Sequence, residues 1–332
     1  MTTIDQAISP MRPAESADQA QRLRALVREI VDGSPSLRTA PPITSPEPAK
    51  PGAAVISIAS GKGGVGKTTL TVNLAIALVQ RGLRVVVLDG DLGLGNTDVL
   101  CGLSPNRTLA DCLTGQAALE DIFTPAPGGF TLIPGASGVT ELADLDGPRR
   151  DRLISALASV EASCDVLLID CGAGIGGNVT SFIAASDLAL VVATPDPASI
   201  TDAYALIKVA LSAASASRSL APETAPVPSI ALVVNNAADR AEALAVHRRI
   251  EAVAYRFLGQ PVPLAGCVLH SPGVNRATRR RVPVILDTPS DPSVADVRDL
   301  SGFAAAVCGV SVDETARKPG LLARLLRVLP RR

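Results

Sequence analysis

The eight residues Gly61-Lys62-Gly63-Gly64-Val65-Gly66-Lys67-Thr68 constrain this chain more than any other feature. They follow an apolar run, Val55 to Ala59, and open a segment, Thr68 to Arg81, whose apolar residues recur at helical spacing. A strand, a glycine-rich loop ending Gly-Lys-Thr and a helix form a unit in which backbone N–H groups can converge on phosphate oxygens. The helix N-terminus adds partial positive charge, Lys67 neutralises the terminal phosphates and Thr68 offers a hydroxyl to Mg²⁺. Gly63, Gly64, Val65, Gly66, Lys67, Thr68 and Thr69 are therefore candidate nucleotide-binding residues.

The rest of the pattern agrees with such a unit. Short runs rich in Val, Ile and Leu occur at Val85 to Leu88, Phe130 to Ile133, Val166 to Ile169, Leu188 to Ala193, Ile230 to Val234 and Leu264 to Leu269. They are continuous rather than alternating, as expected of parallel strands buried on both faces. Helical patterns lie between most of them, at Arg149 to Ala162, Ser199 to Ala213 and Ala241 to Leu258. The expected fold is α/β, a doubly wound, mainly parallel sheet with helices on both faces. Hydrophobic residues make up 47% of the 332 residues and aromatics only 2%, so Ala, Val and Leu must fill the core.

Two strands end in carboxylates, Val87-Leu88-Asp89-Gly90-Asp91 and Val166-Leu167-Leu168-Ile169-Asp170. In open α/β sheets ligands bind at the carboxyl ends of the strands, which makes Asp89, Asp91 and Asp170 candidates for Mg²⁺ and for catalysis. Asp98, a few residues on, fits a turn equally well. Another strand ends Val233-Val234-Asn235-Asn236, and Asn is also a common turn residue.

Lys62, at the start of the loop, is not required for simple phosphate binding. With it the loop resembles the K-G-G-x-G-K-[ST] motif of the MinD/ParA ATPases. That resemblance implies ATP and Mg²⁺ as cofactors and a homodimer formed around ATP, with Lys62 reaching the partner's nucleotide. It further implies Asp91 as the residue orienting the attacking water, Asp89 and Asp170 as Mg²⁺ partners acting with Thr68, and Asn235 as an adenine contact. Two departures stand out. Cys171 replaces the polar residue usual after the second aspartate, and His270-Ser271-Pro272 replaces the usual Pro-x-Asp, leaving a second adenine contact open.

Within that class the segment Thr194-Pro195-Asp196-Pro197-Ala198-Ser199 to Lys208 is similar to the FlhG/FleN regulators of flagellar number. So is Asp18-Gln19-Ala20-Gln21-Arg22-Leu23-Arg24, which resembles the FlhG element that stimulates the GTPase FlhF. Apolar residues from Ala20 to Val31 recur at helical spacing, and six prolines from Pro35 to Pro51 make an extended tether behind them. The expected organisation is a tail at 1–13, a partner-binding helix at 14–34 carrying Asp18 to Val31, a linker at 35–51, an ATPase domain at 52–310, and a linker with a basic amphipathic helix at 311–332.

In that last helix Leu321, Leu322, Leu325, Val328 and Leu329 oppose Arg324, Arg327 and Arg331. Such a tail fits an anionic membrane. Three arginines contribute roughly 1 kcal/mol each, so one copy binds marginally and two on a dimer bind jointly. The expected location is the cytoplasm, with reversible attachment at the inner face of the cell membrane. A net charge of −1 and the short run Arg279-Arg280-Arg281 argue against nucleic acid as partner. Six scattered cysteines without a C-x-x-C pair argue against a metal or cluster carrier. The competing reading is a MinD-like regulator of division-site placement.

Overall fold

The computed structural model describes residues 52–91, 95–135, 156–157, 159–220 and 228–310. The amphipathic segment Asp18 to Val31, the proline tether, the basic tail Leu321 to Arg332 and most of the helix expected from Arg149 lie outside these residues.

Eight strands form one sheet: β1 (Ala54–Ser60), β2 (Val85–Gly90), β3 (Thr124–Pro125), β4 (Thr131–Ile133), β5 (Val166–Ala173), β6 (Leu188–Ala193), β7 (Ser229–Ala237) and β8 (Leu264–Leu269). Their order across the sheet is β3-β4-β2-β5-β1-β6-β7-β8. Every neighbouring pair is parallel except β3 with β4, an antiparallel two-residue edge that the sequence pattern did not suggest. Pro125 is tolerated there because an edge strand has one side free of ladder bonds.

The principal helices are α1 (Lys67–Val79), α2 (Gly177–Ala185), α3 (Pro197–Leu220), α4 (Arg240–Leu258), α5 (Pro272–Arg280) and α6 (Pro292–Cys308). Side chains alternate across a strand, so one strand feeds two cores. From β1, Val55 and Ala59 join Phe182, Ala203, Leu206, Ala243 and Ile250 of α2, α3 and α4 on one face. Ala54, Ile56 and Ile58 join Leu74, Ile76, Leu78, Ala277, Val297 and Leu300 of α1, α5 and α6 on the other. All seven residues of β1 and all six of β6 are buried, which explains why these runs are apolar without alternation. Among the described residues no helix is long and apolar enough to cross a membrane.

The topology sets the site. From β1 the chain crosses past β5 to reach β2, whereas β6 lies on the opposite side of β1. Connections therefore diverge at the carboxyl end of β1, the position at which open sheets leave a crevice for ligand.

Candidate nucleotide site

The loop 61–66 occupies that end of β1. Gly64 and Gly66 have φ of 77° and 89°, a left-handed conformation that costs a side-chain-bearing residue about 1–2 kcal/mol. Gly66 is also the N-cap of α1, so this turn aims the first amides of the helix into the loop. Two close approaches explain further glycines. A Cβ on Gly66 would fall 2.5 Å from Asn235 Nδ2, and one on Gly61 would collide with the Asp202 carbonyl in α3.

The two lysines of the loop sit differently. Lys67 is only 9% exposed. Lys62 Nζ lies 2.5 Å from Asp196 Oδ2 in the connection from β6 to α3, with both side chains about half in solvent. The other carboxylate oxygen of Asp196 accepts from the Ala198 N–H at 2.9 Å. The neighbouring ammonium, helped by that N–H, holds the Asp196 carboxyl below its ordinary range. Sequence reasoning found Lys62 but missed Asp196, whose only signal was its place between two prolines.

Asp89 and Asp170 are opposite one another across β2 and β5, and each is 2% exposed. Burial raises both, and each suffers from a nearby carboxylate; Asp170 is pushed up to about 7, chiefly by desolvation and then by Asp89. Hydroxyl groups converge on the pair. Thr68 bonds Asp170, and the Thr71 hydroxyl lies 3.2 Å from Asp170 Oδ1 and 3.0 Å from the Lys67 carbonyl. The Thr97 N–H donates to Asp89 Oδ2 at 3.1 Å, while its hydroxyl sits 3.5 Å from Asp170 Oδ2. Thr71 and Thr97 were not singled out from sequence. Thr71 lies four residues beyond Lys67 and hence on its face of the helix, which was the available signal.

Asp91 follows the end of β2. Its N–H donates to Asp89 Oδ1 at 3.2 Å, and Gly172, after Asp170, leaves room beside its carboxylate. Asp98 lies in the short helix Thr97–Leu100, where its carboxylate accepts from the Val99 N–H, a local role. Cys171 is buried beside Asp170, and burial followed by that carboxylate pushes its thiol up, so it is an inert packing group. All six cysteines are free thiols.

Asn235 reaches the loop from the end of β7. Its Nδ2 donates to the Val65 carbonyl at 2.7 Å, tying the strand end to the phosphate loop. The Thr69 carbonyl accepts from Asn73 Nδ2 at 2.7 Å, which binds it into the first turns of α1.

These donors suit Mg²⁺ with a nucleotide. Among the described residues no three His, Cys, Asp or Glu side chains converge on one point. A cation here would rest on a hydroxyl, one or two carboxylates and the phosphates of its ligand, which is the usual mode for Mg²⁺ and not for a metal held by protein alone. Two buried carboxylates sharing a raised proton affinity are the electrostatic signature of a site that a cation would relieve.

Comparison with known proteins agrees. Residues 56–284 match the model of the CobQ/CobB/MinD/ParA nucleotide binding domain. The chain is 49% identical over 155 residues to the antiactivator FleN of Pseudomonas aeruginosa, covering 47% of this chain and 55% of that protein. It is 43% identical over 155 residues to the flagellum site-determining protein YlxH of Helicobacter pylori, covering 46% and 52%. The matched stretch thus spans about half the length of these two relatives. The structure of the septum site-determining protein MinD from Pyrococcus horikoshii, complexed with Mg-ADP, superposes with a TM-score of 0.58 at 26% identity, covering 75% of this chain and 94% of that one. With the loop, the carboxylate pair and the sheet order in place, the chain belongs to the CobQ/CobB/MinD/ParA nucleotide-binding family.

Proposed function

We propose that this protein is an ATP-dependent molecular switch that dimerises around Mg-ATP, hydrolyses it, and regulates the number or placement of flagella. The observation that carries the reading is the pairing of two loop lysines in different states. Lys67 is nearly buried, whereas Lys62 is partly exposed and paired with the surface carboxylate Asp196.

In this reading the backbone N–H groups of Gly63 to Thr69 and the Lys67 ammonium bind the phosphates. Thr68, Asp170 and Asp89 hold Mg²⁺, which supplies charge neutralisation when bound. Asp91 orients the attacking water, and the acceptor oxygen of Asn235 reads the base. Lys62 leaves Asp196 to meet the nucleotide of a second subunit. Chemistry of this kind is positioning and electrostatics, so its rate depends on how well the dimer aligns these groups.

The flagellar assignment rests on the similarity to FleN and YlxH, and on the Asp18 to Arg24 element. Asp18 to Val31 would engage an FlhF-like GTPase, and Leu321 to Arg332 an anionic membrane, so that two tails on a dimer make attachment a readout of nucleotide state. The likeness to MinD favours division-site placement as the second reading.

The experiment is size-exclusion chromatography with light scattering, alongside ATPase measurement, for the wild type, Lys67→Ala and Asp91→Ala. A dimer only with Mg-ATP is expected for the wild type, none for Lys67→Ala, and a dimer without turnover for Asp91→Ala. A Lys67→Ala protein that still dimerises with ATP would sink the switch. Stimulation of an FlhF GTPase by a peptide of residues 14–34 separates the flagellar reading from the division-site one.

A further inference from the structure

Thr97 stands between the two buried carboxylates, and the preceding account gives it no role. It is fully buried and begins the short helix Thr97–Leu100, six residues after Asp91. Its N–H donates to Asp89 Oδ2 at 3.1 Å, while the Asp91 N–H donates to Asp89 Oδ1 at 3.2 Å. Each oxygen of one carboxylate therefore fastens one end of the connection from Asp91 to Thr97. A Cβ on Gly95 would fall 2.8 Å from Asp89 Oδ2, so the backbone has to pass close against that carboxylate. The Thr97 hydroxyl faces two acceptors. It lies 3.5 Å from Asp170 Oδ2, whose partner oxygen Oδ1 is met by Thr71 from α1. It also bonds Asp89: burial raises the Asp89 carboxyl, and the N–H and then the hydroxyl of Thr97 pull it back.

We propose that Thr97 is a positioning residue for hydrolysis, its one hydroxyl hydrogen divided between Asp89 and Asp170 so that a cation on Asp170 fixes the connection that carries Asp91. The proposal rests on the nucleotide reading of the site and on the role given there to Asp91. A threonine hydroxyl has a single hydrogen to donate, so it can satisfy only one carboxylate fully. While both carboxylates compete for it, the bond to Asp89 is incomplete. With Asp170 engaged by Mg²⁺, the hydrogen goes to Asp89. That carboxylate then holds three donors, the N–H groups of Asp91 and Thr97 and the Thr97 hydroxyl. Hydrogen bonds to a charged acceptor are the strong ones, and catalysis of this class depends on alignment. Thr97 thereby makes the alignment of Asp91 conditional on the cation.

The test compares the full-length wild type with Thr97→Val, which removes the hydroxyl but keeps the shape and the N–H, and with Thr97→Ser, which keeps the hydroxyl. ADP binding over a Mg²⁺ titration, steady-state ATP hydrolysis, and amide hydrogen exchange at Asp91 and Thr97 with ADP or Mg-ADP are measured for each. In the wild type both amides should exchange more slowly with Mg-ADP than with ADP alone. Thr97→Val should lose that difference and lower kcat roughly tenfold, the worth of one hydrogen bond to a charged group, with KM and the Mg²⁺ midpoint within about twofold of wild type. Thr97→Ser should recover both the exchange difference and kcat. A Thr97→Val protein with unchanged kcat and exchange, or a loss that Thr97→Ser does not recover, overturns the assignment. So does a Mg²⁺ midpoint raised roughly tenfold in Thr97→Val, which would make Thr97 a ligand of the cation. A wild type whose ADP binding ignores Mg²⁺ overturns the reading of the site itself.

Discussion

Removing one charge from the Asp89–Asp170 pair should stabilise the ligand-free protein while destroying its response to Mg²⁺. Asp170 has its carboxyl pushed up from 3.8 to about 7 by burial and by Asp89. Between those two values the folded chain keeps a proton that the unfolded chain has released, so stability falls as pH rises through the window. Roughly three units at about 1.4 kcal/mol each amount to about 4 kcal/mol lost by pH 8. Asp170→Asn keeps the shape and leaves the Thr68 and Thr71 hydroxyls a carbonyl oxygen to bond, yet carries no charge.

Thermal unfolding of the ligand-free protein across pH 5 to 8.5, with and without Mg-ADP, measures the effect. The wild type should lose melting temperature as pH rises from 5 to about 7 and then level off, and Asp170→Asn should flatten that slope and melt higher at pH 8. At about 2–4 °C per kcal/mol for a domain of this size, the gap is on the order of 10 °C. Mg-ADP should raise the wild type more at pH 8 than at pH 6, because a cation must displace the proton, and should raise the variant far less. A variant less stable than wild type at pH 8, or a wild type indifferent to pH over this range, would refute the account of a charge-strained pair.

Asp196→Ala should leave the melting temperature unchanged, since the Lys62–Asp196 pair is at the surface, but shift ATP-driven dimerisation to lower protein concentration by freeing Lys62; light scattering over a concentration series checks this, and an unmoved midpoint counts against Asp196 as the holder of the lysine. Ser57 is fully buried in the middle of β1, and its hydroxyl has no hydrogen-bond partner among the described residues. Ser57→Ala should therefore raise stability by about 1 kcal/mol in urea titration, and a loss of that size would show that the hydroxyl has a partner.

Much of the fold could be read before any coordinates. Leu188 to Ala193 and Leu264 to Leu269 are strands over the very residues their composition indicated, and the other long strands differ by a few residues at their ends. These runs are legible because a strand buried on both faces leaves no polar position to interrupt it. The edge strand β3 was not, because Thr124-Pro125 gains its strand character from its neighbour β4, itself indicated at Phe130 to Ile133, rather than from its own residues. Helix α2, Gly177–Ala185, was missed for a related reason: it opens on glycine without a side-chain cap, and its helicity comes from packing Phe182 and Ile183 onto the sheet.

The site divides the same way. Glycines, lysines and the threonine of residues 61–68 lie in one short stretch, and the backbone geometry that a phosphate loop needs is a local property of that stretch. Sequence alone therefore determined which residues form the loop, and that aspartates would stand at the ends of two strands. Only the tertiary structure decided which groups meet: Asp89 beside Asp170, Asp196 on Lys62, Asn235 on Val65 and His270 on Asn236. These partners are 34 to 170 residues apart in the chain. Their contact depends on the order of parallel strands, which follows from how helices cover both faces of the sheet and leaves no periodic trace in the residues themselves.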